Sequence, residues 1–461
     1  MTESSLQSSF DAVLERAEAE GEDWLFSYTI KIKEINPDSF FASGRGLFKG
    51  ERFFWKSRDG KTVLVGLGVA YTISNHNPDN RFEEVKSEWA VLLKHSMIHN
   101  PFDTPATGPL LFGGFSFDPY SLKEKEWGPF SDSLFYLPRY MLTNEDGEYF
   151  LTVNSMCPSA VPGVLEDNDL ALLLDKAVAP HQKESNIISQ EAVRPEEWKK
   201  AVADTVEVLK REELNKVVLA RKTKLEFDRP VNPDTVLFNL ATQQSNSYLF
   251  AFETNESCFV GASPERLAKK MGQNVLSASL AGSIRRGTSQ EEDRQLGEEL
   301  LGDPKNRYEH QLVVSMIKDA LKPHCDQLDM PQNPELLKMP DIQHLFTPVR
   351  GKAKQETSLF DIVGDLHPTP AMGGVPTKAA MKVIRDKEGM DRGFYAAPLG
   401  WTDYRGNGEF MVAIRSGLLT GQEAYLYAGC GVVADSDPES EFAETGIKFR
   451  PMLRATGGNH A

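Results

Sequence analysis

Lys216 and four glutamates stand in this chain where a charge has to be explained. Lys216-Val217-Val218-Leu219-Ala220-Arg221 reads as a buried strand with a cation at each end. Period-two geometry puts Lys216, Val218 and Ala220 on one face and Val217, Leu219 and Arg221 on the other. A lysine at a strand edge can simply snorkel to water. A lysine that works as a base must instead lose its proton near neutral pH, a fall from about 10.4 to roughly 7 or 8 that burial would have to supply. Gly261-Ala262-Ser263-Pro264-Glu265-Arg266 predicts a turn leading into a helix, with Ser263 as N-cap and Pro264 at the first position. Glu265 suits the helix dipole there, so a chemical role for it needs support from elsewhere.

Glu309 opens the helical run EHQLVVSMIKDAL, in which Leu312, Val313, Met316, Ile317 and Ala320 fall within about a quarter turn of it. A carboxylate on an apolar face requires a partner, and a basic group or a metal ion would serve. Near the C-terminus, SDPESEFAETGIK announces a helix on which Glu441, Glu444 and Lys448 share a face. That face is either solvated, with one Glu-to-Lys pair, or a carboxylate cluster of the kind that suits Mg²⁺, an ion bound by oxygen ligands and by substrate. His344 in IQHLFTPVRG, the Pro- and Gly-rich loop His367–Gly374 containing Ala371, and Gly429-Cys430-Gly431, whose backbone N–H groups could approach an anion, are further candidates. Arg415, at the end of FMVAIRSG, offers a planar fork suited to a carboxylate.

Positioning such residues takes a large scaffold, and 461 residues suffice for one large or two to three ordinary domains. Runs such as 61–71 and 108–117 carry the β-branched and aromatic residues of strands, whereas 83–97 and the acidic segment Leu6–Glu20 read as helices. Polarity rises over 176–196 before a helix opens near Pro195, so a boundary is placed there, between an N-terminal region (1–180) and the part holding the candidate residues. Gly-rich turns and two-residue alternation suggest an α+β architecture of mostly antiparallel sheets.

Composition narrows the function. No stretch approaches the roughly 18 apolar residues of a membrane span. A net charge of -16 repels nucleic acid and anionic lipid, so an anionic substrate would need a local positive site built from a metal or a few Lys and Arg. The polar, acidic N-terminus is unlike a signal peptide and points to the cytoplasm. Cys157, Cys258, Cys325 and Cys430 lie far apart without zinc-site spacing and read as reduced, packed thiols.

Taken in order, KVVLAR, GASPERL, the AGSIRRG turn at 281–287, NRYEHQLVV, HLFTPVRG, HPTPAMGG, RGFYAAPLGW, FMVAIRSG and AGCGVVADSDPESEFAETGIK resemble the chorismate-utilising enzymes over residues 195–455. That family includes isochorismate, salicylate, anthranilate and aminodeoxychorismate synthases. One such motif is weak; nine in order are specific. The resemblance implies an α+β fold of large, mainly antiparallel sheets flanked by helices, with the N-terminal region packed on a chorismate-binding region at 195–455. It implies that Glu309 and Glu444 bind Mg²⁺, that Glu441 touches the ion through water, and that the metal holds the ring carboxylate of chorismate. Arg415 and Tyr395 would hold the enolpyruvyl carboxylate beside Gly431, Lys448 would neutralise a nearby carboxylate, and His344 and Ala371 would line the substrate. Lys216 would deprotonate a water attacking ring C2 while Glu265 protonates the departing C4 hydroxyl, making the enzyme an isomerase.

Three positions separate members of the family. Aminating members resemble this chain but carry Gln at the position of Lys216, and the branch that attacks through a lysine has it where Ala281 stands. Salicylate synthases resemble the aminating enzymes in having Thr at the position of Ala371, so the chain looks more like an isochorismate synthase, with salicylate synthase as the alternative. The long N-terminal region, with LFGGFSFDP at 111–119, looks more like menaquinone-pathway members than siderophore-pathway ones. A non-catalytic chorismate-binding subunit is disfavoured, because Lys216, Glu265, Glu309 and Glu444 are all present.

Overall fold

In the strand Tyr248–Thr254, Tyr248, Phe250 and Phe252 alternate with Leu249 and Ala251, and all five are buried. A strand apolar on both faces must be covered on both. The computed structural model, which describes residues 3–158, 173, 185–211, 214–339 and 342–458, shows how. One run of strands leads from Ser96–His99 through Trp24–Ile32, Glu148–Cys157, Ser133–Glu145, Thr62–Asn75, Arg52–Lys56 and Tyr248–Thr254. It continues through Ser257–Ser263, Ser416–Thr420 and Glu423–Val432 to Lys216–Phe227. A second run leaves the same long strand at Ser133–Tyr136 and passes through Leu110–Phe115, Pro398–Asp403, Gly408–Val412, Arg266–Met271 and Asn274–Arg285 to Ile342–Ala353. Among the described strands, only the pairing of Trp24–Ile32 with Ser96–His99 is parallel.

The two runs face each other across an aromatic core. Phe53 stacks on Phe112 at 4.2 Å between ring centres, and Trp55 meets Trp401 edge-on. Helices close the outer faces: Pro37–Ser43, Pro233–Gln243 and Pro438–Ala455 on the first run, Arg81–Lys94, Pro304–Leu321 and Leu359–Leu366 on the second. The fold is therefore α+β, with large, mainly antiparallel sheets flanked by helices. The acidic N-terminal segment forms the helix Glu3–Glu20, whose Phe10, Val13 and Ala17 pack on Trp24, Phe26 and Tyr28. Of the stretch 176–196 read as a boundary, residues 176–184 lie outside the described residues; the helix expected near Pro195 runs Pro195–Arg211.

Two local expectations are corrected. Ser263-Pro264-Glu265 starts no helix; it links the strands Ser257–Ser263 and Arg266–Met271. Ser263 Oγ does accept from Glu265 N–H (3.2 Å), the bond an N-cap would make, but it also donates to Val412 O. Pairing of Arg266–Met271 with Gly408–Val412 then keeps the chain extended, so tertiary pairing overrides the local cap. Likewise 281–285 is not a turn but the end of the strand Asn274–Arg285, where the register shifts between Leu280 and Ser283 and Gly282 takes φ +77°. A bulge of this kind re-aims side chains without ending a strand.

Arg52 fastens the first run where N-terminal and later strands meet. Its guanidinium, 1% exposed, bonds Glu253 Oε1 at 2.5 Å, Glu253 Oε2 at 2.9 Å and Asp234 Oδ1 at 3.0 Å. Removing one partner of a buried ion pair strands the other charge. Glu253→Ala should therefore lower unfolding stability in urea by about 3 kcal/mol; a loss below about 1 kcal/mol would show that Asp234 alone satisfies Arg52.

Candidate active site

Lys216 begins an edge strand of the first run, half-buried, with its side chain crossing Gly431 of the neighbouring strand. A Cβ on Gly431 would sit 2.4 Å from Lys216 Cε and 3.0 Å from Nζ, so a larger residue here would displace the lysine's tip. The lysine Nζ meets Glu309 Oε2 at 3.1 Å.

Glu309 comes from the second run's helix, Pro304–Leu321. Asp303 caps it, accepting from the N–H groups of Lys305 and Asn306, with Pro304 in the first turn. The helix therefore starts five residues before the run read from sequence. Its buried face is His310, Val313, Val314, Ile317 and Leu321, and Glu309 lies half-buried on the flank. His310 locks the helix to the sheet: Nδ1 lies 3.0 Å from Ala281 O and Nε2 2.7 Å from Thr347 Oγ1.

The C-terminal helix Pro438–Ala455 supplies the remaining charges, with Asp437 as its cap. Glu444 pairs with Lys448 at 2.8 Å, and Lys448 donates to Gly429 O at 2.8 Å. Glu441 Oε1 accepts from Ser436 Oγ at 2.7 Å, while its Oε2 is buried without a partner among the described residues. Arg221, on the opposite face of the lysine strand from Lys216, sets the helix in place: Nε donates to Thr445 Oγ1 (2.7 Å) and the guanidinium lies 3.8 Å over the Phe442 ring. Burial lowers that guanidinium to about 10.

Glu265, 5% exposed, projects into the same space, and burial pushes its carboxyl up to about 8. It is therefore protonated at neutral pH, a state suited to proton donation. His344 is held neutral, at about 3, first by burial and then by the charges of Arg415 and Lys448. Its Nε2 is buried and unpartnered among the described residues, a polar atom waiting for a ligand. Tyr395 stacks on Tyr427 at 5.4 Å, and burial raises its phenol well above the ordinary value. Arg415 has φ +53°, a left-handed backbone rare outside glycine and typical of side chains held for function.

The structure brings every residue singled out from sequence to one cleft of about 480 Å³. Lys216, Glu265, Glu309, His344, Ala371 and Tyr395 line it together with Arg415, Gly431, Glu441, Glu444 and Lys448. The size suits a small molecule. Lys216, Arg415 and Lys448 bring cations into the cleft, where Lys216 faces Glu309 and Lys448 faces Glu444. Sequence reasoning missed Asn306, Met372, Arg392 and Tyr427, which also line the cleft. Arg392 stands in a quoted motif, but its neighbours there gave no sign of what it bonds. Among the described residues no three His, Cys, Asp or Glu side chains form a ready-made metal cage. The oxygen donors facing the cleft, with the unpartnered Glu441 Oε2, nonetheless suit an ion that takes one or two carboxylates plus substrate and water.

The raised Glu265 pKa has a stability consequence. Between the ordinary value of 4.5 and about 8 the folded chain keeps a proton the unfolded chain has lost. The stabilisation is full below 4.5 and gone above about 8, a fall of about 5 kcal/mol across that window. Glu265→Gln should flatten this part of the stability–pH curve in urea unfolding; an unchanged slope would mean that Glu265 ionises normally.

The geometry can be set beside known proteins. The family model described as Chorismate binding enzyme matches residues 12–457. The isochorismate synthase MenF of Bacillus subtilis is 43% identical over 441 residues, covering 94% of each chain. The salicylate biosynthesis isochorismate synthase of Pseudomonas aeruginosa is 34% identical over 466 residues, covering 98% of this chain and 95% of its own. The structure of MenF, the menaquinone-specific isochorismate synthase from Escherichia coli, shares the fold with a TM-score of 0.78 at 23% identity, over 97% of this chain and 100% of that one. The chain belongs to the family of chorismate binding enzymes.

Proposed function

We propose that this chain is a Mg²⁺-dependent isochorismate synthase, an isomerase that converts chorismate to isochorismate. The observation that carries the reading is an acid and an amine facing one cleft: Glu265, kept protonated by burial to about 8, and Lys216. Lys216 takes a proton from a water that attacks ring C2. The ring double bonds shift, and Glu265 gives its proton to the C4 hydroxyl, which leaves as water. One hydroxyl enters and one departs, so the product is an isomer. Base work needs a neutral amine, so the Lys216–Glu309 contact must open during turnover.

Arg415 and Tyr395 hold the enolpyruvyl carboxylate beside Gly431, Lys448 neutralises a neighbouring carboxylate, and His344 and Ala371 bound the ring. Glu309 and Glu444, with Glu441 through water, are the residues that would hold Mg²⁺. When bound, the ion neutralises and orients the ring carboxylate. On this reading the chorismate-binding region lies at 195–455, with the described part of 1–180 packed on it. The 43% identity to the Bacillus subtilis isochorismate synthase supports this reaction, and the long N-terminal region with LFGGFSFDP supports a place in menaquinone biosynthesis. On the same reading the enzyme lies in the cytoplasm; among the described residues no helix is long and apolar enough to cross a membrane.

Purified protein given chorismate and Mg²⁺ should yield isochorismate by NMR, and excess EDTA should stop it. Lys216→Ala should lower kcat by about 10²- to 10⁴-fold, the usual worth of a general base. Salicylate with pyruvate as product would contradict the weight placed on Ala371, and no turnover would favour a binding protein.

A further inference from the structure

The outer edge of the lysine strand has a gap. Two short strands flank it: Gly374–Val375 pairs with Lys216–Val217, and Ile187–Ala192 pairs with Thr223–Phe227. Between them Val218 O, Ala220 N–H and Ala220 O face no strand, and buried backbone groups cannot go unbonded cheaply. Three side chains fill the place. Arg392 Nη2 donates to Val218 O at 2.7 Å, Glu388 Oε2 accepts from Ala220 N–H at 2.7 Å, and Trp198 Nε1 donates to Ala220 O at 2.9 Å.

Glu388 and Arg392 are themselves a fully buried, two-pronged pair, at 2.7 Å (Nε to Oε1) and 2.5 Å (Nη2 to Oε2). Arg392 also donates from Nη1 to Met372 O at 2.9 Å, next to Ala371, and its guanidinium lies 4.1 Å over the Phe117 ring. One guanidinium thus bonds both the backbone two residues beyond Lys216 and the Ala371–Met372 loop, which meets the same strand at Gly373 O, the acceptor of Val218 N–H at 2.9 Å. A planar fork with five donors can do this; an ammonium cannot span the same carbonyls and carboxylate.

We propose that the Glu388–Arg392 pair is a positioning unit. It substitutes for a missing strand just beyond the Gly374–Val375 pairing and, with that pairing, holds Lys216 in place beside the Ala371–Met372 loop. The inference rests on the isochorismate synthase reading for its kinetic consequence, but its structural consequence stands apart from it.

The test is Arg392→Lys, which keeps the charge beside Glu388 and loses the fork, with Trp198→Phe as a gentler variant that removes only one donor from the same edge. Hydrogen exchange by mass spectrometry should show faster exchange over Val218–Arg221 in both, with the remaining strands protected as in wild type. In Arg392→Lys, kcat should fall about tenfold or more, as expected for a misplaced catalytic group, with KM for chorismate little changed. Trp198→Phe should lose roughly threefold in kcat. Unchanged exchange and kcat in a folded Arg392→Lys would overturn the proposal. If that variant does not fold, unchanged exchange and kcat in Glu388→Gln, which weakens the pair at its other partner, overturn it. A wild-type protein inert toward chorismate would sink the functional reading instead, and the exchange data would still decide the positioning role.

Discussion

The contact between Lys216 and Glu309 joins the two halves of the molecule at the point where chemistry is possible. Lys216 belongs to the last strand of one sheet run, and Glu309 to a helix lying on the other. Neither run alone makes a site. The aromatic core around Phe53, Phe112, Trp55 and Trp401 fixes how far apart the runs stand, and so whether an amine and a carboxylate 93 positions apart in sequence meet at 3.1 Å. Close packing makes such spacing stiff, because a core at near-crystal density does not adjust continuously.

Around that contact the cleft separates its ionisable groups by environment. Glu265 is stripped of water and keeps its proton, whereas Glu444 is half exposed and ion-paired with Lys448. His344 is kept neutral by burial and by nearby cations. Similar carboxylates are therefore held in different states: Glu265 protonated, Glu444 ion-paired. In a protein of net charge -16, Lys216, Arg415 and Lys448 are gathered within one recess, two of them facing carboxylates of the same recess.

Much of this was legible in the sequence. Period-two alternation disclosed the strand beginning at Lys216 and which residues share its face, and the capping signals disclosed the helix bearing Glu441, Glu444 and Lys448. Glu309 was recognisable as a carboxylate beside an apolar stripe, although the helix start at Pro304 was missed by five residues. Other features were not legible, for a physical reason. Ser263-Pro264 makes the local bond of a helix cap, yet strand pairing with Gly408–Val412 decides the conformation, and pairing is nonlocal. The bulge at Gly282 reads as a turn until its partner strand is known. Arg392 looks like any arginine in a loop, since the backbone gap it fills exists only once the strands on either side have been placed.

The most direct test of the account is the origin of the new oxygen. Turnover of chorismate in ¹⁸O-enriched water should place one heavy oxygen at C2 of isochorismate, as attack by a water deprotonated by Lys216 requires. Isochorismate formed without label would mean that the hydroxyl migrates within the substrate, and the pairing of Lys216 as base with Glu265 as acid would have to be abandoned.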